Sequence, residues 1–319
     1  MLITLWPKSV SVLTGEQQKT LQHTLFPVFK QLLREENIPP ETALLNQFKA
    51  FYLPLSNWLA GQHQHQTLVI GINGAQGSGK STLTKILARL LEQGFAKHVV
   101  SLSIDDLYKT REQRQQMAET IHPLFMTRGV PGTHDVEMGL ELFKKLKTTQ
   151  QQQLLLPRFN KAVDDRYQQE SWNLINTPVD IILFEGWCVG AIAEDENALI
   201  TPINQLEATE DPQHCWRQYV NQQLNGPYQT LFSQIDLLIM LQVPDMKQVY
   251  QWRALQEQKL AAIESESKQH IMSRAQMERF IMHYERITRA TLNEMPSRAD
   301  LVIKLNEAHR VSKVNVRMR

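Results

Sequence analysis

Between residues 67 and 87 an apolar run, a glycine-rich turn and a helical stretch follow one another without a gap, and this order constrains the fold more than any other feature of the chain. Thr67-Leu68-Val69-Ile70-Gly71-Ile72 reads as a buried strand and Thr82-Leu83-Thr84-Lys85-Ile86-Leu87 as helix. Between them Gly74-Ala75-Gln76-Gly77-Ser78-Gly79-Lys80-Ser81 spells G-x-x-x-x-G-K-S. Glycines allow positive φ, so consecutive backbone N–H groups can converge on an anion at the positive end of the following helix. The pattern predicts a phosphate cradle from Gly74 to Thr82. Lys80 would reach the terminal phosphates as a point charge, and Ser81 would offer its hydroxyl to a magnesium ion.

Composition narrows what surrounds that cradle. With 319 residues, 42% hydrophobic and 21% charged, the chain can bury one large α/β core with small additions. Its two cysteines, Cys188 and Cys215, are far apart and lack metal-ligand spacing, which argues against a disulfide framework or a cysteine zinc site and fits a reducing cytoplasm. A net charge of +1 gives no global field for nucleic acid or an anionic membrane, so any phosphate binding must be local. The opening Met1-Leu2-Ile3-Thr4-Leu5-Trp6-Pro7 has no basic segment and a proline in its apolar run, so no signal peptide is expected. No stretch of eighteen apolar residues occurs. These readings predict a soluble cytoplasmic protein with no nucleic-acid or membrane partner.

Leu21, Leu25, Val28, Phe29, Leu32 and Leu33 recur at helical steps from Gly15, and a second segment follows Pro39-Pro40 to about Leu59. They predict a helical extension over 1–66, packed on a core over 67–319. His63 and His65 alternate in a glutamine-rich tract without acidic or cysteine partners, which reads as a linker rather than a metal site. Further strands are expected at 98–104, 179–184, 235–241 and 300–305, apolar enough to be buried on both faces. A helix over 135–147 supplies a crossover. A capping box, Ser273-Arg274-Ala275-Gln276, opens a long helix whose face is Met277, Phe280, Ile281, Tyr284 and Ile287. The expectation is a doubly wound, mostly parallel α/β sheet of at least five strands, with insertions at about 107–170 and 245–295.

Three groups of residues could carry chemistry at the strand ends. Asp105 and Asp106, in Ser103-Ile104-Asp105-Asp106-Leu107-Tyr108, place carboxylates where an alcohol could be oriented and deprotonated. Asp105 is expected to face the acceptor, with Asp106 helping the metal or the substrate; the structural alternative is an acidic helix start. Glu185, in Phe184-Glu185-Gly186-Trp187, closes an apolar strand where a metal could be held. A basic and polar set follows: Arg128, His134 and Asp135 in a glycine- and proline-rich loop, Arg158 and Lys161 in Pro157-Arg158-Phe159-Asn160-Lys161, and Arg166. Arginine forks onto carboxylates, so this set suits a small anionic acceptor, although Asp135 could equally be a helix cap. Arg253, on a helix after Pro244, is a candidate lid arginine or a solvated helix residue.

Together the phosphate loop, the Asp105-Asp106-Leu107-Tyr108 segment, Arg128-Gly129 with Gly132-Thr133-His134-Asp135, Pro157 to Lys161, and Leu183 to Trp187 resemble the P-loop D-glycerate 3-kinase family. That family is similar to uridine kinase, pantothenate kinase and phosphoribulokinase. The resemblance implies a P-loop nucleoside triphosphatase kinase fold, ATP and Mg2+ as cofactors, and transfer of the γ-phosphoryl group to the 3-hydroxyl of D-glycerate. It implies Asp105, Lys80 and Arg253 as catalytic residues and Ser81, Glu185 and Asp105 around magnesium. Asp106, Tyr108, Arg128, His134, Asp135, Arg158, Lys161 and Arg166 then fall on the acceptor side. Phe159-Asn160 stands where the family has Tyr-Asp, and 162–166 is shorter than the plant loop. Pantothenate, a nucleoside or another hydroxylated metabolite is the rival acceptor. A regulatory protein that binds ATP without being a kinase is the rival of another class.

Overall fold

The computed structural model describes residues 5–7, 10, 13–263 and 272–317. The first four residues, and 264–271 within the second insertion, lie outside the described residues. Helices α1 (Gly15–Glu35), α2 (Thr42–Gln47) and α3 (Leu53–Gln62) come first, with a π-helical turn at Phe48–Tyr52 between the last two. Thr14 starts α1 with a reciprocal capping box, its hydroxyl accepting from Gln17 N–H. Strand β1 (Leu68–Gly74) leads through the glycine turn into α4 (Lys80–Phe95), and β2 (Val99–Ser103) follows. A 3-10 turn at Ile104–Leu107 then carries the two aspartates. The expected strand over 98–104 thus ends one residue earlier, because Ser103 caps the turn by accepting from Asp105 N–H.

Next come α5 (Arg111–Thr120), α6 (Val136–Leu146) and two short antiparallel ribbons. Strands β3 (Gln153–Leu156) and β6 (Asn173–Asn176) make the first, and β4 (Phe159–Asn160) and β5 (Asp165–Arg166) the second. Strand β7 (Ile181–Gly186) returns to the core, followed by α7 (Gln205–Glu210), α8 (Cys215–Asn225) and α9 (Pro227–Phe232). The chain then runs through β8 (Leu237–Gln242), α10 (Met246–Ile263), α11 (Arg274–Glu294), β9 (Leu301–Leu305) and β10 (Val311–Val316).

The main sheet has the order β10-β9-β8-β1-β7-β2, parallel except for β10, which pairs antiparallel with β9 at the edge. The four expected later strands all form, and β10 is an addition. Only Val311 and Val314 of this strand are buried, set three apart by a bulge between Val311 and Lys313, a pattern of an edge hairpin rather than of a strand buried on both faces. Successive strand residues serve opposite layers. Ile182 and Phe184 pack with Phe143, Trp216, Tyr228 and Tyr284 on one side, whereas Ile181 and Leu183 pack with Leu83, Leu87, Val249 and Trp252 on the other. A satellite cluster joins Leu25, Phe29, Leu33 and Phe48 to Ile86 and Leu90, so the N-terminal helices sit on the outer face of α4. No helix among the described residues is long and apolar enough to cross a membrane.

Strand β1 lies inside this order: β7 and β2 lie to one side, β8, β9 and β10 to the other. In open parallel sheets ligands settle in the crevice at the carboxyl ends, where the order turns. Here that position holds Gly74–Lys80, Asp105 and Glu185.

Candidate active site

The cradle is shaped by backbone that only glycine adopts easily. Gly77 has φ +77° and Gly79 +88°, the latter capping the start of α4. A Cβ on Gly77 would lie 3.0 Å from Trp252 Cβ and 3.4 Å from Arg253 N, so α10 leans directly on the loop. On the far side, His309 approaches Gly79, and its ring stacks on Trp252 with centroids 4.2 Å apart. Around the loop, Gln76 Nε2 and Oε1 and Ser78 Oγ are buried without a hydrogen-bond partner among the described residues. Buried polar atoms are nearly always satisfied, so such a cluster marks a place prepared for a ligand.

Glu185 lies opposite Ile72 in the β1–β7 register, at the carboxyl end of the adjacent strand. Its Oε1 accepts from Ser81 Oγ–H at 2.8 Å, while Oε2 is buried and without a partner among the described residues. Both are hard oxygen donors next to a phosphate cradle. Among the described residues no three His, Cys, Asp or Glu side chains form a metal cage. A serine hydroxyl with one carboxylate fits a hard cation that takes its other ligands from phosphate and water.

Asp105 and Asp106 diverge, as two neighbours at a strand end should. Asp105 Oδ1 accepts from Tyr108 Oη–H at 2.9 Å, and Oδ2 from Lys161 Nζ at 2.6 Å. Burial alone would raise the Asp105 carboxyl, but the charges of Lys161 and Lys80 outweigh it and hold the group well below the usual carboxylate range. Asp106 points the other way and accepts from Phe159 N–H at 3.1 Å. Burial pushes its carboxyl up to about 6, helped by the Asp105 charge. Two adjacent residues of the same type therefore differ in protonation behaviour because of what each faces.

The β4–β5 ribbon delivers the basic groups. It carries Lys161 just beyond Asn160, and Arg166, whose guanidinium donates to Tyr108 O at 2.8 Å and to Asp135 Oδ2 at 3.4 Å. Asp135 is also the cap of α6, accepting from Met138 N–H, so the structural reading of that residue applies alongside any other. Arg128 pairs with Asp164 and lies over the Phe159 ring, and the same Asp164 carboxylate meets the buried Arg114 at 3.0 Å. His134 stacks on the Tyr108 ring at 4.4 Å. Two residues stand apart from this set. Arg158 is exposed and lies over Tyr167, and Arg253 pairs with Glu257, donates to Gln256 and covers the Phe280 ring.

Sequence reasoning did not find Asp164, Tyr284 or Tyr228. Tyr284 read as one more apolar position of a helix face, yet its hydroxyl donates to Arg128 O at 3.0 Å. Tyr228 contacts Gly132 and His134 from α9, 96 and 94 residues downstream, with no motif around it. The cysteines are both free, Cys188 buried and Cys215 exposed.

Residues 48–136, which carry the phosphate loop and the aspartate turn, match the KAP family P-loop domain. The chain is 31% identical over 228 residues to the uncharacterized kinase mug58 of Schizosaccharomyces pombe, covering 68% of this chain and 78% of that protein. It is 29% identical over 222 residues to the chloroplastic D-glycerate 3-kinase of Arabidopsis thaliana, covering 64% of this chain but only 46% of that longer protein. A solved D-glycerate 3-kinase from Cryptococcus neoformans matches with a TM-score of 0.64 at 23% identity, covering 95% of this chain and all of that one. At that identity the likeness supports the fold alone: an α/β sheet, mostly parallel, around a phosphate loop.

Proposed function

Because the chain belongs to the family of P-loop kinases related to D-glycerate 3-kinase, we propose that it transfers the γ-phosphoryl group of ATP to a small hydroxy acid, namely to the 3-hydroxyl of D-glycerate. The observation that carries this reading is a carboxylate, Asp105, kept ionised by Lys161 and Lys80 in the turn that follows β2, the strand next to the one bearing Glu185. A protein that only binds or hydrolyses nucleotide needs no base for an alcohol. An enzyme that takes a proton from an alcohol does.

In this proposal the N–H groups of Gly74 to Thr82 and the Lys80 ammonium hold the phosphates. Ser81 and Glu185 hold Mg2+, which supplies charge neutralisation on the phosphate oxygens. Asp105 orients the acceptor hydroxyl and receives its proton. Lys161, anchored on Asp105, adds a cation beside the acceptor, and Arg128 and Arg166 add two more, each steadied by an acid. Arg253 is assigned to the transferred phosphoryl group because α10 abuts Gly77; its guanidinium would exchange Glu257 for that charge.

The test is ADP release with Mg-ATP across a panel of hydroxy acids, pantothenate, uridine and sugar phosphates. D-glycerate should stimulate release most. Stimulation by a different acceptor would overturn the substrate and keep the kinase; release that no acceptor changes would favour a regulatory ATP-binding protein.

A further inference from the structure

Tyr228, at the start of α9, is fully buried, and its phenolic oxygen is the meeting point of three groups. It accepts from Gly132 N–H at 2.9 Å and from His134 N–H at 3.3 Å, and it lies 2.6 Å from His134 Nδ1. A phenol has two lone pairs and one hydrogen. With two backbone donors on the lone pairs, the hydrogen must go to the remaining contact, so Tyr228 donates to Nδ1. Nδ1 is then an acceptor, and the neutral ring carries its proton on Nε2. Burial, together with the positive charge of Lys109, pulls the imidazole down to about 3 against the opposing pull of Asp105, which keeps it neutral.

Nε2 is buried and has no hydrogen-bond partner among the described residues. The residue as a whole is 2% exposed. The ring lies flat on Tyr108, whose hydroxyl is on Asp105. An N–H left unpaired in such a place is destabilising until an acceptor arrives.

We propose that His134 Nε2–H donates a hydrogen bond to an oxygen of the phosphoryl acceptor beside the hydroxyl held by Asp105, and that Tyr228 is the positioning residue that fixes this tautomer. The idea rests on the kinase reading for its ligand, but not for its tautomer. It excludes His134 as general base, since no lone pair is left on the ring edge away from Tyr228, and so gives proton removal to a carboxylate. The ligand class follows: the acceptor must carry a second oxygen adjacent to the reacting hydroxyl.

Long-range 15N–1H spectra of the histidine-labelled full chain near neutral pH test the tautomer without any substrate. His134 should appear in the neutral Nε2–H form and lose that single form in Tyr228→Phe. An Nδ1–H tautomer or an imidazolium in the wild-type protein would overturn the proposal, whatever the acceptor proves to be. In steady-state kinetics Tyr228→Phe should raise the acceptor KM about tenfold and leave the ATP KM unchanged. A purely structural tyrosine would lower Tm and leave that KM alone. His134→Gln, whose amide can supply an N–H, should retain more activity than His134→Leu; equal losses would sink the donor role. If no acceptor stimulates ADP release, the kinase proposal fails while the spectra still decide the tautomer.

Discussion

The two sides of the crevice are built from different materials. The side proposed for the nucleotide is largely backbone: Gly77 and Gly79 in left-handed conformations and the first turn of α4, which begins with Lys80. The side proposed for the acceptor is side chains from distant segments: Asp105 after β2, Arg128 and His134 in a loop, Lys161 and Arg166 on a ribbon, Tyr228 on α9. A backbone device tolerates few substitutions and is local in sequence. A network of side chains that reaches Tyr228 spreads over more than a hundred residues, and each member can be tuned by its neighbour.

Substitutions should separate the two sides. Asp105→Asn is expected to have the largest effect, a loss of about 10²–10⁴-fold in turnover with nucleotide binding retained, checked by ADP release against nucleotide titration. Loss of nucleotide binding in that variant would mean the two sides are not separable. Gly77→Val should do the reverse. It forces a β-branched residue to positive φ against Trp252, at a cost of roughly 1–3 kcal/mol, and should weaken nucleotide binding about tenfold to a hundredfold by calorimetry.

The acidic limb of kcat/KM distinguishes the aspartates. Asp105 is held ionised well into acid, so a base at this position gives a rate that stays flat as pH falls through 6; a base at Asp106, with its carboxyl near about 6, gives a rate that falls there. Lys161→Met removes a charge that lowers the Asp105 carboxyl, so the limb should move upward, by about one pH unit. An unmoved limb would assign the proton to another group. Smallest is Tyr284→Phe, which gives up one hydrogen bond to Arg128 O and should cost about 1 kcal/mol, or about 1–2 °C in Tm, with nucleotide binding untouched.

The same difference in material explains what could be read from the sequence. The cradle was legible because strand, glycines and lysine are contiguous and each is required by backbone geometry. The parallel strands were legible because burial on both faces leaves near-continuous apolar runs. Edge strand β10 was not, since one exposed face breaks that run, and the four-residue and two-residue strands of the ribbons are too short to show a period. On the acceptor side Asp105, Lys161, Arg128 and His134 could be named one at a time. Their partnerships could not be named, because the Asp164 that holds Arg128 and the Tyr228 that holds His134 are ordinary residues made significant only by the fold. Asp135 shows a further limit: a helix cap and an ion-pair partner look the same in sequence, and here one carboxylate is both.

Helix α4 is gripped from both flanks. Leu83, Leu87 and Leu91 press on the sheet, while Ile86 and Leu90 are covered by Leu25, Phe29 and Leu33, and Gly94 leaves room for Leu25 where any Cβ would sit 2.6 Å from its methyl. A rod clamped along its length cannot retreat at its tip, and its tip is where the proposal docks the anion. The leading helices thus brace the loop through the helix that follows it, and a chain trimmed of its first forty residues would keep every signature motif yet, on the proposed reading, hold its nucleotide in a slackened grip.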